Sequence, residues 1–113
     1  MTAPASRIDQ TMRDAPQYFQ PENARGVDAV VQLHFTGREA GDWFLIVNGG
    51  NCSVESGIHP SATMKLTIDG QDYLDILDGR LQAMSAFMQG RIQFEGDLNL
   101  AMRFPTFFQR QTS

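Results

Sequence analysis

Chemistry in a protein needs groups that can hold a proton, a metal or a nucleophile within reach of one another, and this sequence offers few. His34 and His59 are its two histidines and Cys52 its one thiol. They become a metal site only if three separate segments converge on one point, which nothing in their spacing imposes. Surface or satisfied histidines are the simpler reading. Cys52 has no local cation or base to lower its pKa, so it reads as a small apolar filler of a strand rather than a nucleophile. Asp69, Asp72, Asp75 and Asp78 recur every third residue. That could be a set of paired carboxylates, but it is also the pattern of a cap followed by the solvated face of one helix. Trp43 could stack on a ligand or fill core. Gly96-Asp97 reads as a turn and an N-cap, since a single glycine exposes too little backbone to cradle a phosphate. Glycine-rich nucleotide loops, nucleophile elbows and paired-cysteine metal motifs are missing from the sequence, which leaves an enzyme the least supported class and implies no cofactor and no metal.

The feature hardest to dismiss is apolar. Met84, Phe87, Met88, Ile92, Phe94, Leu98, Leu100, Met102, Phe104, Phe107 and Phe108 fall within 25 positions. Core packing accounts for most of them. The mixture of flexible, polarizable Met with Phe also suits an apolar cavity that adapts to ligands of different shape.

The elements that would carry these residues can be read from periodicity. Residues 6–13 fit a short helix capped by Ser6, with Ile8 and Met12 on one face, ending before Pro16. Residues 17–26 read as a loop anchored by Tyr18 and Phe19. From Val27 to Thr36 the period becomes two, with Val27, Ala29, Val31, Leu33 and Phe35 on one side and Gln32, His34 and Thr36 on the other. A second strand over 43–47 leads through Asn48-Gly49-Gly50-Asn51, a tight hairpin sequence, into a third over 52–56. Met64, Leu66 and Ile68 mark the inward face of a fourth strand. Asp69 caps a helix running to Asp78, residues 81–89 form another helix, and 91–95 a fifth strand with Ile92 and Phe94 inward. Asp97 then caps a short helix, and Pro105 opens a separate last helix bearing Phe107 and Phe108. Residues 109–113 read as a frayed tail. Strands with one polar face call for a two-layer α+β domain, a mixed, mainly antiparallel five-stranded sheet with one face covered by helices and the other open to water.

Composition narrows the classes further. The 113 residues suit a single domain, and 42% hydrophobic with 19% charged residues is ordinary for a folded globular chain. A formal net charge of −4, with nine scattered basic residues, lacks the basic footprint of a nucleic-acid binder. It also gives no help in docking on anionic lipid, so membrane contact is expected to be transient at most. The single cysteine and the absence of an apolar leader point to the cytoplasm.

One stretch resembles a known family. Ala83-Met84-Ser85-Ala86-Phe87-Met88-Gln89-Gly90, followed by a strand, Gly96-Asp97 and then Leu100-Ala101-Met102, is similar to the closing segment of sterol carrier protein domains. Residues 26–33 and 43–47 resemble that family's first two strands, and the likeness runs from Tyr18 to Phe108. The resemblance implies a five-stranded sheet with helices on one face, and between them an apolar tunnel for sterols, fatty acyl chains or related lipids. Carried over, the tunnel wall comprises Met84, Phe87, Met88, Ile92, Phe94, Leu98, Met102 and Phe104, with Phe107 and Phe108 near a movable C-terminal lid and Leu77 and Phe35 as secondary candidates. The sequence departs from the family at Ala83, where proline is frequent, and at Gln93 and Glu95, where lysine is common. Its ending, Gln111-Thr112-Ser113, does not resemble the peroxisomal tripeptide of some relatives, and a bacterial cytosolic setting is the better fit.

The expected function is therefore non-catalytic binding, and transfer, of a lipid or other long apolar molecule. The alternative is an interaction module with a vestigial tunnel that meets its partner, a second copy included, through Trp43 or the C-terminal helix.

Overall fold

The computed structural model describes residues 7–108, apart from the side chains of Leu98, Met102 and Pro105. Five strands form one sheet: β1 (Ala29–Thr36), β2 (Gly41–Asn48), β3 (Asn51–Ser56), β4 (Met64–Asp69) and β5 (Ile92–Glu95), in the spatial order β3-β2-β1-β4-β5. All neighbours are antiparallel except β1 and β4, so the sheet is mixed and mainly antiparallel, as expected. Helices α1 (Arg7–Tyr18), α2 (Gly70–Leu77), α3 (Ala83–Met88) and α4 (Leu98–Phe107) pack on one face. Among the described residues no helix is long and apolar enough to cross a membrane.

Register explains the core. Val31 faces Leu45 and Met64, Leu33 faces Trp43 and Leu66, and Phe35 faces Ile68 across neighbouring strands. Because side chains alternate along a strand, one choice of register sends all of these apolar residues to the same side. Ile8, Met12 and Ala15 of α1, Tyr73, Leu74 and Leu77 of α2, and Leu100, Phe104 and Phe107 of α4 close over them. The β2–β3 hairpin turns through Gly49 (φ 59°) and Gly50 (φ 80°). Two successive positive φ values give the turn twist that antiparallel strands favour, at no steric cost for glycine.

Several expectations are corrected. The first helix does not end before Pro16 but continues to Tyr18. Pro16 is exposed near the helix end, where the loss of one backbone hydrogen bond is tolerated, while Ala15 behind it is buried. The Ser6 cap lies outside the described residues. Pro105 likewise opens no new helix, because α4 is continuous from Leu98 to Phe107. Phe104, Phe107 and Phe108 are buried together against Phe19, with ring centroids 5.5–6.4 Å apart. Burying that aromatic cluster outweighs the cost of a proline in the helix.

The open face of the sheet is not bare either. β3 and β4 run in the same direction with β2 and β1 between them, so residues 57–63 must cross the sheet, and they do so over the face that the alternation leaves polar. Gln32 is pinned beneath the crossover at 6% exposure. Its amide nitrogen donates to Trp43 O and Gly57 O, both at 3.0 Å, and its oxygen accepts from His59 N at 2.8 Å. A buried amide is tolerated because its groups are paired.

Candidate functional site

Helix α2 starts where Asp69 turns its carboxylate onto the backbone N–H groups of Gln71 (2.9 Å) and Asp72 (3.2 Å), the expected N-cap. This sets Tyr73, Ile76 and Leu77 over β4. By the opposite end of β4 Asp97 caps α4 in the same way, accepting from Asn99 N at 2.8 Å and Leu100 N at 3.3 Å, which brings Ala101 and Phe104 down onto the sheet. Gly96 makes this junction: its φ is +119°, and a Cβ there would lie 2.7 Å from Thr63 O. Between the two helices, α3 lowers Phe87 onto Phe94, with centroids 5.4 Å apart.

These elements enclose an apolar cleft. Its floor is Leu66 and Ile68 of β4 with their cross-strand partners Phe94 and Ile92 of β5. Its walls are Tyr73, Ile76 and Leu77 from α2, Ala83 and Phe87 from α3, and Ala101 and Phe104 from α4. The lining contains no ionisable side chain apart from the Tyr73 phenol. The space inside is about 40 Å³, room for roughly three waters by the usual measure and well short of the roughly 300 Å³ at which small-molecule pockets begin. What the arrangement can do chemically is desolvate hydrocarbon: it offers neither a nucleophile nor a base.

Of the residues expected on the tunnel wall, Phe87, Ile92, Phe94 and Phe104 meet in the cleft, and so does the secondary candidate Leu77. Met84 and Met88 do not line it; they lie on the outer side of α3, 47% and 79% exposed. Phe107 and Phe108 are buried in the ring cluster with Phe19, which adjoins the cleft through Phe104, and do not line it; Phe35 is core, its ring tilted against Tyr73 at 5.0 Å. The side chains of Leu98 and Met102 lie outside the described residues, as does the tail 109–113. Leu66, Ile68, Tyr73, Ile76, Ala83 and Ala101 were not anticipated. The inward faces of Leu66, Ile68, Tyr73 and Ile76 were readable from period; that of Ala83 was not, and neither was the register that sets β5 beside β4.

The groups with chemical potential sit elsewhere. His34 Nδ1 lies 2.5 Å from Asp42 Oδ1 on the open face, across the sheet from the cleft. His59 Nδ1 accepts from Ser61 N at 2.9 Å, and its ring packs edge-on to Phe44. Burial pushes the Cys52 thiol up to about 12, so it stays protonated at neutral pH. Trp43 is buried, with the Arg13 guanidinium 6.0 Å from its ring centre. Asp72 faces Arg91 at 3.8 Å, and Asp75 accepts from Gln71 at 3.0 Å. Among the described residues no three His, Cys, Asp or Glu side chains gather as metal ligands would.

Comparison with known proteins points the same way as the cleft. The sequence model of the SCP-2 sterol transfer family matches residues 10–109. Hydroxysteroid dehydrogenase-like protein 2 of Xenopus tropicalis is 28% identical over 101 residues, 88% of this chain but 24% of its own length. The chain thus spans about a quarter of that relative. Among solved structures, palmitated SCP2L2 from Aedes aegypti shares the fold at a TM-score of 0.71 and 22% identity, covering 94% of this chain and 95% of that one. The sec-alkylsulfatase Pisa1 from Pseudomonas sp. matches at a TM-score of 0.79 and 18% identity, covering 92% of this chain and 16% of that one.

Proposed function

Because the chain belongs to the SCP-2 sterol transfer family, whose domains bind and transfer lipids, we propose that it holds one long apolar ligand, a fatty acyl chain or a sterol, in the cleft between β4–β5 and α2–α4, and performs no reaction on it. The observation that carries this reading is a cleft lined from five elements by side chains that offer hydrocarbon contact and no ionisable group except one phenol. The palmitated mosquito relative supports an acyl chain as ligand.

Energetics allow it without a charged anchor. Each methylene moved out of water contributes about 0.8 kcal/mol, so a long chain gains roughly 10 kcal/mol gross. Ordering the ligand and the walls takes back several kcal/mol, which leaves micromolar binding within reach. The cleft must widen to admit such a ligand. The element to move is α3, six residues long, with Ala86 its one buried side chain. Specificity is then broad, because hydrocarbon contacts discriminate weakly between chains of similar length.

Native mass spectrometry of freshly purified protein, with displacement of a fluorescent fatty acid, tests the proposal. A co-purified lipid and saturable displacement are expected. Protein that carries nothing and displaces nothing sinks it. Phe94→Asp should abolish displacement, since a buried charge without a partner excludes hydrocarbon, and circular dichroism confirms whether the variant still folds.

A second reading, an accessory module within a larger protein, is favoured by one observation: two of the matched proteins carry this domain as a quarter of their length or less. Its contact cannot be Trp43, which is buried. Light scattering without lipid separates the readings, because persistent self-association through an apolar patch belongs to the second.

A further inference from the structure

The outer edge of β3 is unpaired, and the turn that begins the strand fixes which of its groups are free. Gly49 and Gly50 close a two-residue hairpin loop, so Asn48 and Asn51 form the first hydrogen-bonded pair. At the far end Gly57 N donates to Asp42 O at 2.9 Å, in the same phase. Asn51, Ser53 and Glu55 therefore bond back to β2, and Cys52, Val54 and Ser56 turn their N–H and C=O groups outward. Among the described residues nothing bonds to those outward groups. Nor does α1 close that side, since an open groove of about 460 Å³ is lined by Arg13 and Pro16 of α1 and by Val54, Glu55 and Ser56 of β3. Edge strands are commonly guarded by shortness, charge, proline or a bulge. The other edge, β5, has four residues, with Arg91 just before it and Glu95 at its end. β3 has six residues, no proline and a single charge, Glu55, and its register with β2 runs unbroken.

We propose that β3 is a self-association edge: a second copy of this chain pairs antiparallel with it across a two-fold axis at Val54, joining the two five-stranded sheets into one. Symmetry and charge select this occupant and this register. A two-fold contact is self-complementary. With Val54 facing Val54, Cys52 faces Ser56, so every outward N–H and C=O of both copies finds a partner. On the open face Ser53 then meets Glu55 of the second copy, a hydroxyl donor against a carboxylate. Moving the axis to Ser53 puts Ser56 opposite Gly50 in the turn and leaves its ladder bonds unmade. Moving it to Glu55 sets two carboxylates face to face, which is destabilising. A foreign extended segment could use the same groups, but only a copy of β3 brings this fixed match of length, register and charge. The contact lies at the end of the sheet opposite the cleft, leaves the cleft open in both copies, and does not depend on the carrier reading.

The test is sedimentation of the whole chain without lipid over a wide concentration series, because a six-residue ladder is a small interface of the weak class. Wild type should pass from monomer to dimer as concentration rises. Ser53→Lys should tighten the dimer roughly fivefold and Ser53→Glu weaken it by a similar factor, since position 53 of each copy faces Glu55 of the other. Ser53 is exposed, so both variants should leave the monomer intact. Val54→Pro should weaken the dimer roughly tenfold or more: it removes the N–H at the axis, which points away from β2, and proline is tolerated on an edge strand. Circular dichroism checks that this variant folds, and the two Ser53 variants carry the test if it does not. A chain that stays monomeric throughout overturns the proposal and leaves the edge to a foreign segment. Equal weakening by both Ser53 variants overturns it too, because the axis then lies at Ser53. So does a dimer that ignores Val54→Pro and both Ser53 variants, since its contact is elsewhere.

Discussion

The two ends of the sheet are built to different standards. Around β1 and β2, Val31, Leu33, Leu45 and Val47 are sealed from water, α1 lies against β3, and the crossover is fixed to Gln32 by hydrogen bonds on both sides of its amide. At the β5 end, no strand residue is fully buried, and α3 contributes Ala86 alone to the interior. Close packing excludes a ligand because there is no space to give, whereas thinly covered elements open at low free-energy cost. On the proposed carrier reading, the contrast assigns stability and binding to separate ends: the first end keeps the fold, and the second would loosen around hydrocarbon without unfolding it.

Paired truncations give the largest test of that contrast. Leu45→Ala, in the sealed end, should lower unfolding free energy by about 3 kcal/mol and leave fatty acid displacement unaltered in the protein that remains folded. Phe87→Ala, at the cleft, should cost about 1 kcal/mol, because its ring is already partly wet, yet shift displacement strongly. Chemical denaturation and displacement titrations read both effects; similar losses of stability at the two sites break the division. Next comes Gln32→Ala, which strands two carbonyls and one N–H under the crossover and should cost about 2 kcal/mol. If it also weakens displacement, the two ends are coupled through β1 and do not act independently.

The effect that is smallest at neutral pH concerns Cys52 on β3. Its thiol is raised from 9.0 to about 12 by burial, so the folded state keeps the proton where the unfolded state releases it. That contribution is fully present below about pH 9 and is lost as pH rises toward 12, with stability falling across that window. Cys52→Ala should flatten the decline in pH-dependent denaturation, and iodoacetamide should label the folded wild-type thiol far more slowly than the unfolded one at pH 8.

Much of this was legible because local physics wrote it. The alternation through Val31, Leu33 and Phe35, the Asn48-Gly49-Gly50-Asn51 turn, and the Asp69 and Asp97 caps are set by residues within a few positions of one another, and each element formed where they indicate. The prolines misled for the complementary reason. Pro16 and Pro105 are helix breakers by local preference, but Ala15 and the Phe104–Phe107–Phe108 cluster are held by distant packing that the local rule does not contain. The cleft was legible by half. Phe87, Ile92, Phe94 and Phe104 were in view as apolar residues of the last third, while Met84 and Met88 share that composition and face the other way.

The sequence alone determined the inward faces of the strands and the family to which the chain belongs, but not the buried side of α3, where Met84 and Met88 face outward. Only the tertiary structure decided which inward faces meet. Leu66 and Ile68 became the floor of a cleft because β5 pairs with β4 in one register, and Gln32 became a buried anchor because a crossover 25 residues later lies over it. Periodicity specifies the face a side chain takes, and contact between faces is a property of the closed chain, set by the packing that removes the most apolar surface with no polar group left unpaired.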